Sequence, residues 1–501
     1  MRRQDTWAAV LASCVGRVLG QGMPTAEVQN NTFNASHGEY NPESAAARIA
    51  KANLSAEVAD AVLTSVNFER SNWAGTSVRL DPFYADLPSN WTGLPAGSVL
   101  KVEQNTSASL YTVAPTLAIS RLLFTTKTFN GTVVPASAYV LWPWLPRGYA
   151  SASSNSSDDD DGLPVIAWGH GTSGQAGECA PSHIRTLWYE FMIFSAATQG
   201  YAVVAPDYAG LGLDHDGAGN FIPHQYLANQ ASGNDLLYAV KAAQQAWPGE
   251  IGSRYVVMGH SQGGGAAWGA ANVLAQAENG SDIAALRQGY LGTVAGSPWT
   301  SLSTTMQFSQ QNSSSFQSLV GRIATGVQSI FPSFSLREWL TDKGARVVQL
   351  MQDLQGCQAV SMELLTSADL VRPDWRQSWY ADAFDNLTTL VGRPFAGPML
   401  VIQGTGDPAI NAAGVSDAVD ATCAANPAEA LELVEFDGVG HTAVMFSGQQ
   451  VWLDWIDARF AGKEAKKGCQ KARYSPVRAV SQYLKDRNYF LEWSQYQYGT
   501  A

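Results

Sequence analysis

The sequence predicts an α/β architecture: a mostly parallel central sheet, covered on both faces, with a helical cap inserted late. Two observations predict it. Short continuous apolar runs ("LPVIAWGHG", "GYAVVAPDY", "SRYVVMGHS", "GPMLVIQGTGD" and "ALELVEFDGVGH") each end in polar or glycine residues. They alternate with helical stretches such as "YLANQASGNDLLYAVKAAQQAW" and "SGQQVWLDWIDARFA". Strands without a polar face, separated by helices, belong to a parallel sheet buried on both sides. The second observation is a break: between Pro298 and Pro394 the strand pattern stops, and "FQSLVGRIATGVQSIF" and "REWLTDKGARVVQLMQDLQ" read as helices. A structureless loop of that length is unfavourable, so residues 298–394 are expected to form a cap.

The other segments follow in chain order. Residues 1–22 have the layout of a signal peptide: Arg2 and Arg3, an apolar stretch from Thr6 to Gly16, then small residues at Gly20 and Gly22. Residues 23–79 form an N-terminal extension, helical from about Asn41 to Phe68, where Ile49, Leu54, Val58, Val62 and Val66 recur at helical spacing. Residues 80–297 are the first part of the core. It opens on a Pro- and Gly-rich meander, "LDPFYADLPSNWTGLPAGSVLKVE". Two β-like runs follow, "SRLLFTTKTF" and "ASAYVLWPWL", with a hairpin signal at Asn130-Gly131 between them. "SASSNSSDDDD", Ser151 to Asp161, is a polar, low-complexity loop. Residues 395–470 complete the core, and the aromatic-rich 471–501 form a C-terminal extension expected to pack on it.

Composition and charge narrow the class. The chain has 501 residues, 46% hydrophobic and 15% charged, with a formal net charge of -12. Phosphate binding needs a clustered basic surface. The densest basic stretch, "GKEAKKGCQKAR" near Lys466, is small and reads as a solvated face, so a nucleic-acid partner is not expected. After the leader no apolar run reaches the roughly 18 residues of a membrane span. Asn30, Asn34, Asn53, Asn90, Asn105, Asn130, Asn155, Asn279, Asn312 and Asn386 each begin an Asn-x-Ser/Thr triplet without proline, a density that points to a secreted glycoprotein. Cys14 falls in the leader; Cys179, Cys357, Cys423 and Cys469 remain, enough for two disulfides in an oxidising compartment, with three pairings open. No cysteine spacing resembles a metal site, and neither a metal nor an organic cofactor is expected.

Chemistry in such sheets gathers at the carboxyl ends of the strands. Those ends carry His170, Asp207, Ser261, Asp407 and His441. Ser261 stands in Gly259-His260-Ser261-Gln262-Gly263, between an apolar run and a small-residue helix. That is the setting of a nucleophile held on a strained strand-to-helix turn. A serine hydroxyl needs a base. Of the seven histidines, His441, after the last apolar run, has the place of that base. His260 adjoins Ser261 but should point elsewhere on a tight turn, and His37, His183, His215 and His224 lack strand-end context. Asp407 ends the preceding strand and is the candidate acid that orients His441; Asp437 is the competitor, while Asp417 and Asp420 read as exposed helix residues. A developing oxyanion needs two backbone N–H groups. Gln262 supplies one, and Gly171 or Thr172, in "GHGTSG", the other. Asp207 is expected to fix the neighbouring loop.

Taken together, "LDPFYADLP" with "PAGSVLK", "WGHGTSG" with "CAPS", "GYAVVAPDYAGLG", "GHSQGG", and "GTGDPAIN" with "GVGHT" resemble the secretory lipase family of α/β-hydrolases, the fungal lipase A type. The resemblance runs from about Leu80 to Phe460. It implies the α/β-hydrolase fold, a triad of Ser261, Asp407 and His441, and a helical lid over an acyl-binding site. It also implies the disulfides Cys179–Cys357 and Cys423–Cys469. The N-terminal helix, the Asp158–Asp161 run and the extension after Cys469 depart from the family.

The expected activity is hydrolysis of carboxylic esters by a secreted, monomeric chain acting on an ester or lipid substrate, with transient contact at a lipid interface. The same triad in a peptidase or an acyltransferase is one alternative. A glycosylated binding protein that kept the fold without activity is another.

Overall fold

The computed structural model describes residues 44–149, 162–188, 191–308, 314–365 and 369–483. The leader, the Ser151–Asp161 loop, Asn30, Asn34, Asn155, Asn312, His37 and the chain after Tyr483 lie outside the described residues.

Ten strands form one sheet: β1 (Val99–Thr106), β2 (Ala118–Lys127), β3 (Val133–Trp142), β4 (Leu163–Gly169), β5 (Ala202–Pro206), β6 (Ile251–His260), β7 (Tyr290–Gly296), β8 (Met399–Gly404), β9 (Ala430–Phe436) and β10 (Gly468–Tyr474). Their spatial order is β1-β2-β3-β5-β4-β6-β7-β8-β9-β10. The first three pair antiparallel, as does β3 with β5; from β5 to β10 every pairing is parallel. The sheet is therefore mostly parallel, and this is the α/β-hydrolase fold.

The alternation of side chains across the sheet explains the apolar runs. Along β4, Val165 and Ala167 pack on one face with Leu236 and Val240 of the helix Asn229–Ala246. Ile166 and Trp168 pack on the other with Trp452 of the helix Gln449–Phe460. Both faces exclude water, so both take apolar side chains along these runs.

Between β7 and β8 the chain leaves the sheet and forms helices that include Ser314–Ile330, Asp342–Asp353, Gln358–Leu364 and Trp379–Thr388. Their core contains Phe316, Val320, Val347 and Val348, and the same core contains Ile49, Val62 and Val66 of the N-terminal helices. The N-terminal helices are thus packed into the inserted helices. The alanine-rich stretch forms two helices rather than one, Ala45–Lys51 and Ala56–Ser71. Asn53 adopts a left-handed φ of 55°, and the Ser55 hydroxyl caps the second helix on Val58 N–H.

β10 keeps the expected solvated face, with none of its residues buried, but extends past the core boundary expected at residue 470. It runs through Tyr474 as a parallel edge strand beside β9, in register from Gly468↔Ala430 to Tyr474↔Phe436. An edge strand accepts charged side chains such as Lys471 and Arg473, which hid it in the sequence. Cys423 and Cys469 are disulfide-bonded, fastening this strand to the helix Ala412–Ala425.

Candidate active site

Ser261 sits between β6 and the helix Gln262–Gln276 at φ 59°, ψ -118°, a strained backbone for a residue with a Cβ. Hydrogen bonds hold it there: Ser261 N–H donates to Gly296 O at 2.9 Å, and Gly265 N–H donates to Ser261 O at 3.1 Å. The turn is tight enough that Gly259 and Gly263 must lack side chains. A methyl group on Gly263 would lie 1.9 Å from Gly169 O, and one on Gly259 would lie 2.1 Å from Gly263 O. The glycines let the helix start against β4 and β6.

The turns after β8 and β9 complete the cluster. His441 Nε2 lies 2.9 Å from Ser261 Oγ, and His441 Nδ1 lies 2.7 Å from Asp407 Oδ2. The Asp407 side chain is fully buried, while that of His441 is 19% exposed. Asp407 Oδ1 accepts the N–H groups of Ala409 and Ile410 at 2.8 and 2.9 Å. Burial pushes the Asp407 carboxyl up, but His441 and these hydrogen bonds outweigh it and hold the group at about 2. It is an anion at neutral pH. Geometrically, a hydroxyl in reach of an imidazole that is oriented by a buried carboxylate can be deprotonated as it attacks.

Two further side chains support the cluster: Gln403, which no motif marks, and His260, expected only to point away from Ser261. Gln403, fully buried, donates through Nε2 to Asp407 Oδ2 at 3.2 Å. His260 does turn away from Ser261, but not to an unrelated place. Its Nε2 donates to His441 O at 3.0 Å, and the two rings lie 4.6 Å apart. Burial lowers its pKa to about 3, so it stays neutral behind His441.

The competitors lie elsewhere. Asp437 accepts from Arg473 and from the Ser475 hydroxyl, tying β10's exit to the loop before His441. Asp417 and Asp420 are exposed on the helix Ala412–Ala425. Asp207 is buried and accepts Ser137 Oγ at 2.6 Å and Ser182 N–H at 2.7 Å; burial raises it to about 6 despite those bonds. His183 is buried against Glu178, and His215 pairs with Asp214.

The loop after β4 carries His170, Gly171 and Thr172. His170 is buried, with its ring nitrogens 3.1 Å from Asp207 O and 2.7 Å from Gly171 O. Thr172 Oγ1 is 3.1 Å from the Tyr226 hydroxyl. Farther along, Gly174 bridges to Cys357, Gln358 N–H donates to Ser173 O at 3.0 Å, and Cys179 is disulfide-bonded to Cys357. Glu69, from the N-terminal helix, accepts Cys357 N–H at 2.8 Å and Val360 N–H at 2.9 Å. A cavity of about 540 Å³ lies on this side, lined by residues including Gln175, Phe221, His224, Thr325 and Met351. In "SIFPSF", Phe334 is buried in the helical core and Ser329 and Pro332 line this cavity. Among the described residues no group of three His, Cys, Asp or Glu side chains is placed to hold a metal ion, and no helix is long and apolar enough to cross a membrane.

The sequence pattern described as the alpha/beta hydrolase family matches residues 165–454, more than half of the chain. The chain belongs to that family. Among its relatives, it is 23% identical over 408 residues to Lipase 10 of Candida albicans, covering 78% of this chain and 83% of the relative. Candida antarctica lipase A in its closed state superposes with a TM-score of 0.59 at 19% identity, over 78% of this chain and 88% of that one. The rice cell wall degrading esterase LipA from Xanthomonas oryzae superposes at 0.54 and 17% identity, over 73% and 98%. At these identities the superpositions speak for the hydrolase fold.

Proposed function

We propose that the chain is a secreted, glycosylated serine hydrolase of carboxylic esters, of the fungal lipase A type. One observation carries the reading: the continuous hydrogen-bonded chain from Ser261 Oγ through His441 to Asp407, at 2.9 and 2.7 Å. The names of the relatives, lipase and esterase, supply the ester.

The steps follow from the geometry. His441 Nε2 takes the Ser261 proton as Oγ bonds to the ester carbonyl carbon. The carbonyl oxygen becomes an anion, held by the backbone N–H of Gln262 and of Gly171 or Thr172. The imidazolium, stabilised by the Asp407 anion, gives its proton to the alcohol oxygen as the carbon–oxygen bond breaks. Water then attacks the acyl-enzyme, losing its proton to His441. Ser261 Oγ leaves the acyl carbon, recovers that proton, and the carboxylic acid departs.

A fluorophosphonate probe and an ester panel test this. Labelling of Ser261, absent in Ser261→Ala, with turnover of p-nitrophenyl esters or triglycerides, is expected. Turnover of aminoacyl anilides with esters untouched would overturn the ester assignment. Secretion and glycosylation rest on the leader and on Asn53, Asn90, Asn105, Asn130, Asn279 and Asn386, all exposed. Endoglycosidase treatment of the secreted chain should lower its mass.

A further inference from the structure

We propose that His224 is a positioning residue for the reaction: it holds the Gln262 side chain so that the Gln262 backbone N–H faces the oxyanion. The proposal rests on the serine-hydrolase reading above and adds a residue to it.

His224 lies in the loop after β5, 38 residues before Gln262, and no motif marks it. Its Nδ1 is 3.1 Å from Ala209 O, and its Nε2 is 3.0 Å from Gln262 Nε2. A carbonyl oxygen only accepts, so Nδ1 carries the ring proton. In the neutral ring Nε2 then holds a lone pair, and it accepts from the Gln262 amide. His224 is 5% exposed, and burial, with the neighbouring His170, lowers its pKa to about 4. The neutral tautomer that the geometry needs is the one that burial favours.

The ring is itself fixed. It stacks at 5.9 Å and 15° on Tyr208, which stacks at 4.3 Å on His170, the residue before Gly171. The Tyr208 hydroxyl donates to His170 O at 3.0 Å. The Ala209 N–H donates to Asp235 Oδ2 at 3.1 Å, and Asp235 Oδ1 accepts from Thr126 Oγ1 at 2.7 Å. One buried assembly therefore touches both sides of the proposed oxyanion site. Gln262 is the first residue of its helix, so its N–H lacks a partner within the helix. Only the orientation of its peptide decides where that N–H points. A side chain anchored at its far end restricts that orientation.

Two substitutions separate this role from plain support of the Ala209 loop. A glutamine at 224 places an acceptor near the Nε2 position; an asparagine places a donor near the Nδ1 position. His224→Asn keeps the bond to Ala209 O and loses Gln262. His224→Gln keeps Gln262 and loses Ala209 O. The measurements are kcat and KM on a p-nitrophenyl ester, with thermal melts, for wild type, H224N, H224Q, Gln262→Ala and the H224N/Q262A double variant. H224N and Q262A should each lower kcat between about tenfold and a hundredfold with KM within about twofold, because the loss falls on the transition state. H224Q should recover most of the loss, and the double variant should be no worse than Q262A. The proposal is overturned if H224Q is the poorer variant, if the two losses multiply, or if H224N matches wild type. Should H224N fail to fold, Q262A decides: unchanged kcat overturns the proposal. A wild type inert toward every ester and toward the fluorophosphonate overturns the hydrolase reading and this one together. An active wild type with indifferent variants overturns this one alone.

Discussion

Asp407 and Glu69 are both carboxylates drawn into the protein, and they meet opposite fates. Asp407, at the strand ends, faces His441 and two backbone N–H groups and is held near 2. Glu69, at the cap side, accepts the backbone N–H groups of Cys357 and Val360 and lies near Arg70, but burial outweighs them and raises it to about 7. The strand-end region is built from neighbours that the sheet supplies. The cap side is assembled from distant segments: the N-terminal helix, the loop after β4 and the inserted helices. The difference teaches where charge is put to use and where it only fastens chain to chain.

The largest effects should come from breaking the strand-end cluster. Ser261→Ala or His441→Ala is expected to lower kcat on a p-nitrophenyl ester by about 10⁴ to 10⁶ with the melting temperature little changed. Asp407→Asn should lose about 10⁴ by presenting the wrong imidazole tautomer. Gly263→Ala breaks the same region differently. A methyl group 1.9 Å from Gly169 O cannot be accommodated without moving the helix off β4. We expect at least about 3 kcal/mol of lost stability, read by denaturant melts, together with lost activity.

On the cap side, opening Cys179–Cys357 should act on stability before chemistry. The bond spans 178 residues of sequence. Its removal as Cys179→Ala/Cys357→Ala is expected to lower stability by about 3 to 5 kcal/mol. The strand-end hydrogen bonds do not involve it, so turnover at low temperature should survive. Turnover abolished in a folded double variant would show that the two regions are coupled.

This contrast also governs what the sequence disclosed. Ser261, Asp407 and His441 were legible because each stands at the end of an apolar run, where short-range pattern and sheet topology coincide. His224, Gln403 and Glu69 were not, because each acts on a partner that only the folded chain brings near. Glu69 meets Cys357 and Val360 across 288 and 291 positions. The same holds for strands. β4, β5, β6, β8 and β9 announced themselves as buried apolar runs. β1 starts inside a Pro- and Gly-rich meander, β7 ("YLGTVAG") has glycines that dilute its pattern, and β10 is polar because it is an edge. Asn53 and Ser55, which divide the N-terminal helices, were present in the sequence as a stop and a cap within a run that otherwise favours one helix.

The smallest effect tests the carboxylate comparison directly. Glu69 has a folded pKa of about 7, raised from 4.5 by burial. Where the folded group binds its proton more tightly than the unfolded one, stability is fully present below about 4.5 and is lost as pH rises through about 7. Asp407 has the reverse sign: its contribution is present above 3.8 and is lost as pH falls through about 2. Glu69→Gln keeps an oxygen for one N–H and removes the titration. Between pH 5 and 8 the melting temperature of Glu69→Gln relative to wild type should therefore rise, by roughly a degree or a few in a chain of this size. A difference that stays flat across that range would mean that Glu69 is ionised in the fold as Asp407 is, and that the cap side holds its charge by the same means as the strand ends.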